Sequence, residues 1–363
     1  MTHHKENGLN TEFTQGLIAW QKTSGRHHLP WQSQNVYHIW LSEMMLQQTQ
    51  VSTVCDYFVR FIQRFPTMED LANADIDDVF ALWAGLGYYR RAQFVHQAAK
   101  IMVHQWKKQF PHERKQWETL PGIGRSTAAA IVAFAFRQPE TILDGNVQRV
   151  LCRVFALDGD LIQPAFIQQL WQFAERLLPE NTRDIPAYIQ GLMDLGATIC
   201  TKNPHCEQCP QQKICLAKQQ NRILELPHKS NKIQVKKQEL FWALCVDKQN
   251  RILLVKRPHH GIWANLFCLP CFENEQAYQD FIDEHHLIET QELPSCQHRL
   301  THRLLNIRTQ VFRLPEKPSA FANGFWISFE NLSDYAKPKP LDRLLMDFYA
   351  QSHPSASKKR QDK

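Results

Sequence analysis

The chain has no long apolar run, no apolar leader and no internal repeat, and outside two short stretches it carries almost no net charge. Its longest unbroken apolar run, AAAIVAFAF at 128–136, falls far short of the roughly 20 residues that a membrane helix needs. A membrane protein is therefore not expected. The first ten residues, MTHHKENGLN, are polar and precede no apolar segment, so no secretory signal is expected and the location inferred is the cytoplasm. The overall charge of +6 is unevenly placed: residues 217–238 carry +5 and the last nine carry +3, leaving −2 for the rest. Near-neutral folded bodies are weak support for a nucleic-acid partner, so any DNA surface must be argued locally. A hydrophobic fraction of 43% with 11% aromatics excludes global disorder. At 363 residues the chain exceeds what one core organises, and two domains are expected.

Patterning divides the chain. Up to residue 217 apolar residues recur every three or four positions, as in VYHIWLSEMMLQQTQVSTVCDYFVRFIQRF and PAFIQQLWQFAERLL, the period of buried helices. No β-hairpin is evident there. Residues 218–238 are basic and contain a proline, and read as a linker. Beyond it, LFWALCVDKQNRILLVKRP reads as two strands about a polar turn at 247–250, QVFRLP and GFWISFENL as further strands, and 275–286 and 341–350 as helices. The expected organisation is an all-α domain over 1–217, the linker 218–238, an α+β domain over 239–350, and a basic, disordered tail over 351–363.

Four cysteines give the sharpest local signal. Cys200, Cys206, Cys209 and Cys215 form a C-x5-C-x2-C-x5-C array. With no oxidising compartment implied, a metal is favoured over disulfides, and the spacing leaves zinc and an iron–sulfur cluster both open. The other six cysteines sit mostly in apolar contexts, Cys268 and Cys271 at a strand end. In LPGIGRSTAAAIV (120–132), Pro121 and Gly122 end one helix, Gly124 supplies an unusual φ, and Ser126 or Thr127 opens the next. Outward-pointing backbone N–H groups at such a turn suit a phosphate. Asp144, in ILDGNVQRVL, reads as the N-cap of an amphipathic helix, a role that would also fix its carboxylate in one orientation. Glu43, in WLSEMMLQQTQV, shares a helix face with Gln47 and Gln50, opposite an apolar stripe of Trp40, Leu41, Met44, Met45 and Val51. Helical geometry alone assigns that face to solvent.

At these residues the chain resembles the helix–hairpin–helix (endonuclease III-like) DNA glycosylases, and within them the MutY-type adenine DNA glycosylases. The matching strings are LPWQ (29–32), WLSEMMLQQTQV (40–51), GLGYYRRA (85–92), LPGIGRSTAAAI (120–131), ILDGNVQRVL (142–151), LMDLGA (192–197) and the cysteine array. KRPHHGIWANLFCLP (256–270) and HRLTH (298–302) resemble the family's Nudix-like domain. The resemblance implies that Cys200, Cys206, Cys209 and Cys215 ligate a [4Fe–4S] cluster and that Glu43 and Asp144 are catalytic. Leu29 and Trp31 would line the adenine pocket, and Gly122, Gly124 and Ser126 would hold DNA phosphate. Gln48, Thr49, Leu86, Tyr88 and Thr301 would meet the DNA near the partner base, with Gln48 filling the opened stack. The implied substrate is double-stranded DNA bearing an A:8-oxoguanine or A:G mispair, and the implied protein is a monomer with no membrane attachment.

The implied chemistry flips adenine out of the duplex. Glu43, its pKa raised by Met and Trp neighbours, protonates the base, Asp144 stabilises the oxocarbenium-like sugar, and the ionised Glu43 activates water. Relatives that also cleave the backbone carry Lys where this chain has Ser126, which cannot form an imine. A glycosylase without lyase activity is therefore expected. Three departures stand out. The first cysteine spacing is one residue shorter than the family's usual C-x6-C, Leu300, Thr301 and His302 replace a typical Phe-Ser-His, and the acidic helix of active Nudix hydrolases is missing after GIWANLFCLPCFE. The last favours lesion sensing over nucleotide hydrolysis. The alternatives are an oxidised-pyrimidine glycosylase–lyase, which Ser126 and the extra domain oppose, and a non-enzymatic DNA-binding module with a structural metal.

Overall fold

The computed structural model describes residues 2–230, 235–314 and 324–352. Most of the expected tail and residues 231–234 of the expected linker lie outside them. The chain forms two compact units, Met1–Asn73 with Phe94–Lys232, and Ala74–Gln93 with Ile233–Lys363. The second unit thus draws twenty residues from the middle of the helical stretch of sequence, an exchange that periodicity cannot register. No helix among the described residues is long and apolar enough to cross a membrane.

The first unit is helical. The long apolar-periodic stretch after residue 35 is two helices, Val36–Leu46 and Val51–Arg64, because the intervening turn takes Gln48 to a φ of 56°. Asn35 starts the first, its side-chain oxygen accepting from the Tyr37 N–H at 2.9 Å, which satisfies a donor the helix itself leaves open. Trp40, Leu41, Met44 and Met45 are buried as the stripe requires. Helix Val36–Leu46 packs against Arg125–Phe136, whose residues from Ala128 to Ala133 are all buried. The small alanine side chains let neighbouring helices approach closely. That helix ends at Arg137, in the left-handed region with a φ of 56°. Thr2–Ser24 packs along Ile185–Asp194, which runs on through a π-helical turn, Leu195–Ile199, to Cys200.

The expected linker is not a free tether at its start. Leu226 is buried in the helical core, the Arg153 Nε donates to its carbonyl at 2.9 Å, and His228 bridges to Asp160. One apolar residue and a guanidinium with a carbonyl to satisfy hold this basic stretch on the first unit.

The second unit is built on a mixed seven-stranded sheet. Its strands are β1 (Lys236–Val246), β2 (Ile252–Lys256), β3 (Phe267–Cys268), β4 (Cys271–Phe272), β5 (Glu289–Arg299), β6 (Arg303–Arg313) and β7 (Gly324–Ile327). β1 and β2 are the antiparallel pair read from the sequence, with Val246 opposite Ile252. The turn between them is held by Asp247, whose Oδ1 accepts from the Gln249 and Arg251 N–H groups at 2.9 and 2.8 Å. β1 also pairs in parallel with β6 along eleven positions. Because side chains alternate, Leu240, Trp242 and Leu244 enter one core while Phe241, Ala243 and Cys245 enter another on the opposite face. The helices are Ile76–Trp83, Glu275–Glu284 and Lys339–Ser352. The polar edge strand β5 is absent from the sequence reading, because its residues are mostly exposed and lack a buried alternation.

Candidate active site

Glu43 lies in the last turn of helix Val36–Leu46, and its side of the helix faces a cavity of about 570 Å³ in the first unit rather than bulk solvent. Leu29 and Trp31 line the same cavity. Leu29 is held by its neighbours: its N–H donates to the Gln32 Oε1 at 3.0 Å, and the Gln32 Nε2 reaches the Arg26 carbonyl at 2.7 Å. Trp31 is buried edge-on against Phe58, with centroids 5.6 Å apart. Burial first, and the Asp144 carboxylate second, push the pKa of Glu43 up to about 8, so at neutral pH it carries a proton.

Asp144 caps helix Gly145–Val154, as the sequence indicates. Its Oδ1 accepts from the Asn146 and Val147 N–H groups at 2.8 and 2.9 Å. The carboxylate is exposed and fixed. It is not a wall of the Glu43 cavity, and it acts on Glu43 through charge.

The hairpin differs in detail from the sequence reading. The left-handed residue is Gly122, with a φ of 75°, whereas Gly124 is extended and caps a helix that begins at Arg125. A Cβ on Gly122 would stand 2.4 Å from the Phe94 ring, so both conformation and space call for glycine there. Ser126 lies within the helix, and its Oγ accepts the Leu143 N–H at 3.0 Å. The hydroxyl thus ties the hairpin helix to the segment carrying Asp144.

Gln48 and Thr49 form the turn after helix Val36–Leu46. Just before them, the Gln47 Nε2 donates to the Gly122 carbonyl at 3.1 Å and to the Thr127 Oγ1 at 3.2 Å, so this turn and the hairpin are joined. Leu86, Tyr88 and Thr301 belong to the second unit. Leu86 is buried, Tyr88 is 47% exposed, and Thr301 is exposed in the turn between β5 and β6.

Other cavity residues escape sequence reasoning. Arg26, Ser42, Arg137 and Gln190 all line it. Two of them are set by Asp194, a carboxylate only 1% exposed. Its oxygens accept from the Arg26 N–H at 2.9 Å, the Arg26 Nε at 2.7 Å and the Gln190 Nε2 at 2.8 Å. A buried carboxylate needs such a full set of donors to offset its lost hydration. The acidic residue in LMDLGA is the one signal that could have pointed to this group; Arg26 and Gln190 carry none.

Cys200, Cys206, Cys209 and Cys215 converge on one small cavity walled by Val154, Leu195, Ile199, Pro204 and Ile223. Among the described residues no three such side chains stand in the close arrangement that holds a single ion, where thiolates about 4 Å apart surround one zinc. Four cysteines around one pocket, which Gln212 and Lys218 also line, are a donor set for a sulfur-ligated group. The pocket also supplies a cation: the Arg153 Nη1 reaches the Cys200 Sγ at 3.7 Å and the Thr201 carbonyl at 2.6 Å. The Arg149 Nε donates to the Cys200 carbonyl at 2.8 Å. Both arginines lie on the helix that Asp144 caps.

Residues 41–175 match the HhH-GPD superfamily of base excision DNA repair proteins, and residues 241–347 match the NUDIX domain. An adenine DNA glycosylase of Buchnera aphidicola subsp. Schizaphis graminum is 34% identical over 348 residues, covering 93% of this chain and 98% of that protein. A human adenine DNA glycosylase is 41% identical over 221 residues, covering 58% of this chain and 40% of that protein. Among solved structures, a thermostable thymine-DNA glycosylase superposes with a TM-score of 0.53 at 26% identity, over 59% of this chain and 99% of its own. A near full-length relative and a helical unit that places Glu43 at a cavity agree: the chain belongs to the adenine DNA glycosylases, N-glycosidases of base excision repair.

Proposed function

We propose that this enzyme removes adenine from A:8-oxoguanine and A:G mispairs in double-stranded DNA, stops at base removal, and acts as a cytoplasmic monomer. The observation that carries the reading is Glu43, kept neutral at pH 7 in a cavity of the size that takes small ligands. Adenine leaves poorly as an anion, so an acid held ready beside the flipped base lowers the barrier. As the glycosidic bond opens, positive charge grows on the sugar. The Asp144 carboxylate, held in place by two backbone N–H groups, stabilises that charge without having to reorganise. Glu43, having given up its proton, takes one from the water that completes hydrolysis. The Gly122 turn receives a backbone phosphate, and Arg26 and Gln190, anchored on Asp194, offer donors to the base.

The arrest at base removal is supported by Ser126, which has no amine, and by the absence of lysine from the cavity walls among the described residues. Cys200, Cys206, Cys209 and Cys215 would hold a [4Fe–4S] cluster, which when bound cross-links four points of its loop. The functional test is incubation with an 8-oxoguanine:A duplex. A strand break that appears only after alkali supports the proposal; a break without alkali, or release of the oxidised base, refutes it. A colourless purified protein would argue for zinc in place of the cluster.

A further inference from the structure

The segment Ala74–Gln93 is helical-domain sequence that belongs to the sheet-bearing unit, and the turn within it is built with unusual care. Gly85, Gly87 and Tyr88 all have positive φ, at 91°, 80° and 50°. For tyrosine that conformation persists only where the surroundings over-determine it. Here they do. The Trp83 Nε1 and the Arg91 Nη2 both donate to the Gly87 carbonyl, at 3.2 and 3.0 Å. The Arg91 guanidinium lies over the Trp83 and Tyr88 rings, at 5.6 and 5.3 Å.

Side-chain contacts then fasten this turn to the rest of its unit. The Tyr89 hydroxyl accepts the Gly85 N–H at 3.0 Å and donates to the Lys337 carbonyl at 3.0 Å. The Lys337 backbone is itself secured, because its buried Nζ donates to the Leu332 and Tyr335 carbonyls and pairs with Asp342 at 3.2 Å. On the helix leading into the turn, Asp77 takes the Lys256 Nζ on both oxygens, at 2.6 and 2.7 Å. Lys256 is the last residue of β2.

We propose that Tyr89 is a positioning residue for partner-base recognition: its hydroxyl, with the Asp77–Lys256 pair, fixes the Leu86–Tyr88 turn to the Nudix-like fold so that both read the partner base as one body. The proposal rests on the reading above that Leu86 and Tyr88 meet that base. Only a group that accepts and donates at once can serve both the Gly85 N–H and the Lys337 carbonyl, and a tyrosine hydroxyl does so. Phenylalanine keeps the ring and loses both bonds.

The test uses the full-length protein and duplexes whose adenosine carries a 2′-fluorine, which blocks hydrolysis, placed opposite 8-oxoguanine or opposite guanine. Tyr89→Phe should reduce the binding preference for 8-oxoguanine over guanine by about 3- to 10-fold, a part of what its two lost hydrogen bonds are worth. Affinity for undamaged duplex should stay at the wild-type value, while the thermal midpoint falls by the modest cost of the two lost bonds. Lys256→Met should reduce the same preference, and the double variant should lose less than the two losses combined, since both act on one turn. Were Tyr89→Phe to fold poorly, Lys256→Met alone carries the expectation. An unchanged preference in either folded variant overturns the proposal, as does an equal loss on every duplex, which marks a purely structural role. A wild-type protein with no preference between the two partner bases would instead defeat the reading of Leu86 and Tyr88, and the proposal with it.

Discussion

Replacing Glu43 with glutamine should make the protein more stable, and by an amount that grows with pH. In the unfolded chain Glu43 titrates near its ordinary value of 4.5, whereas in the fold burial and the Asp144 charge hold it at about 8. Below pH 4.5 both states carry the proton and the site costs nothing. Between the two values folding must take up a proton, so the site destabilises the protein progressively as pH rises. Above 8 the full cost persists, because the carboxylate is then ionised and buried. Proton linkage puts the cost at about 1 kcal/mol at pH 5, about 3 kcal/mol at pH 7 and about 5 kcal/mol at pH 9. Glutamine has the same shape and no charge to desolvate, so Glu43→Gln should recover these amounts. For a unit of this size that corresponds to a rise in Tm of about 2–3 °C at pH 5 and about 6–12 °C at pH 7. Differential scanning calorimetry of wild type and variant at each pH measures the difference directly, other titrations cancelling between them. The variant should also have lost base excision, the usual exchange of stability for a strained functional group. Equal Tm values for the two proteins at pH 7 and above, or a gap that shrinks with rising pH, would refute the reasoning.

The same protonation sets the activity profile: excision requires neutral Glu43, so kcat/KM should fall as pH rises through about 8, as read from single-turnover rates. Asp144→Asn keeps an oxygen for the Asn146 and Val147 N–H groups and so should preserve the helix by circular dichroism. Its excision rate should fall about 100- to 1,000-fold, typical of one lost electrostatic contact, and the alkaline limb should move to lower pH because a charge that raises Glu43 is gone. Gly122→Ala forces a Cβ to 2.4 Å from the Phe94 ring at a φ of 75°. It should destabilise the first unit by about 1–3 kcal/mol and weaken DNA binding further than its Tm loss explains, measured by fluorescence anisotropy. Ser126→Ala removes the acceptor of the Leu143 N–H and should cost about 1 kcal/mol, read as a drop in Tm with base excision slowed through the displaced Asp144 segment.

What the sequence determines by itself is whatever depends on neighbours a few residues apart. Asp144 is recognisable as a cap because its partners are two and three residues on. The β1–β2 turn is recognisable because Asp247 bonds within four residues. The four cysteines lie within sixteen residues, so their convergence on one pocket needs little more than a loop. The helical period likewise reports the buried stripe of Val36–Leu46, and Gly122 and Gly124 announce a turn, although which of the two is left-handed is settled by the Phe94 ring packed behind it.

The tertiary structure decides the rest, through contacts whose partners are distant in sequence. Helical geometry sends Glu43 to solvent; it faces a cavity instead because Leu29, Trp31 and residues between Arg183 and Met193 stand around it. That long-range burial turns an ordinary glutamate into an acid that keeps its proton at pH 7. Asp194 reaches Arg26 across 168 positions, and Ser126 reaches Leu143 across 17. The stretch Ala74–Gln93 has an unremarkable helical period yet joins the sheet-bearing unit, with contacts that include a hydroxyl and an ion pair whose partners lie 248 and 179 residues further on. Local patterning records which face of an element is apolar, whereas desolvation and the matching of isolated donors to acceptors depend on what folds against it.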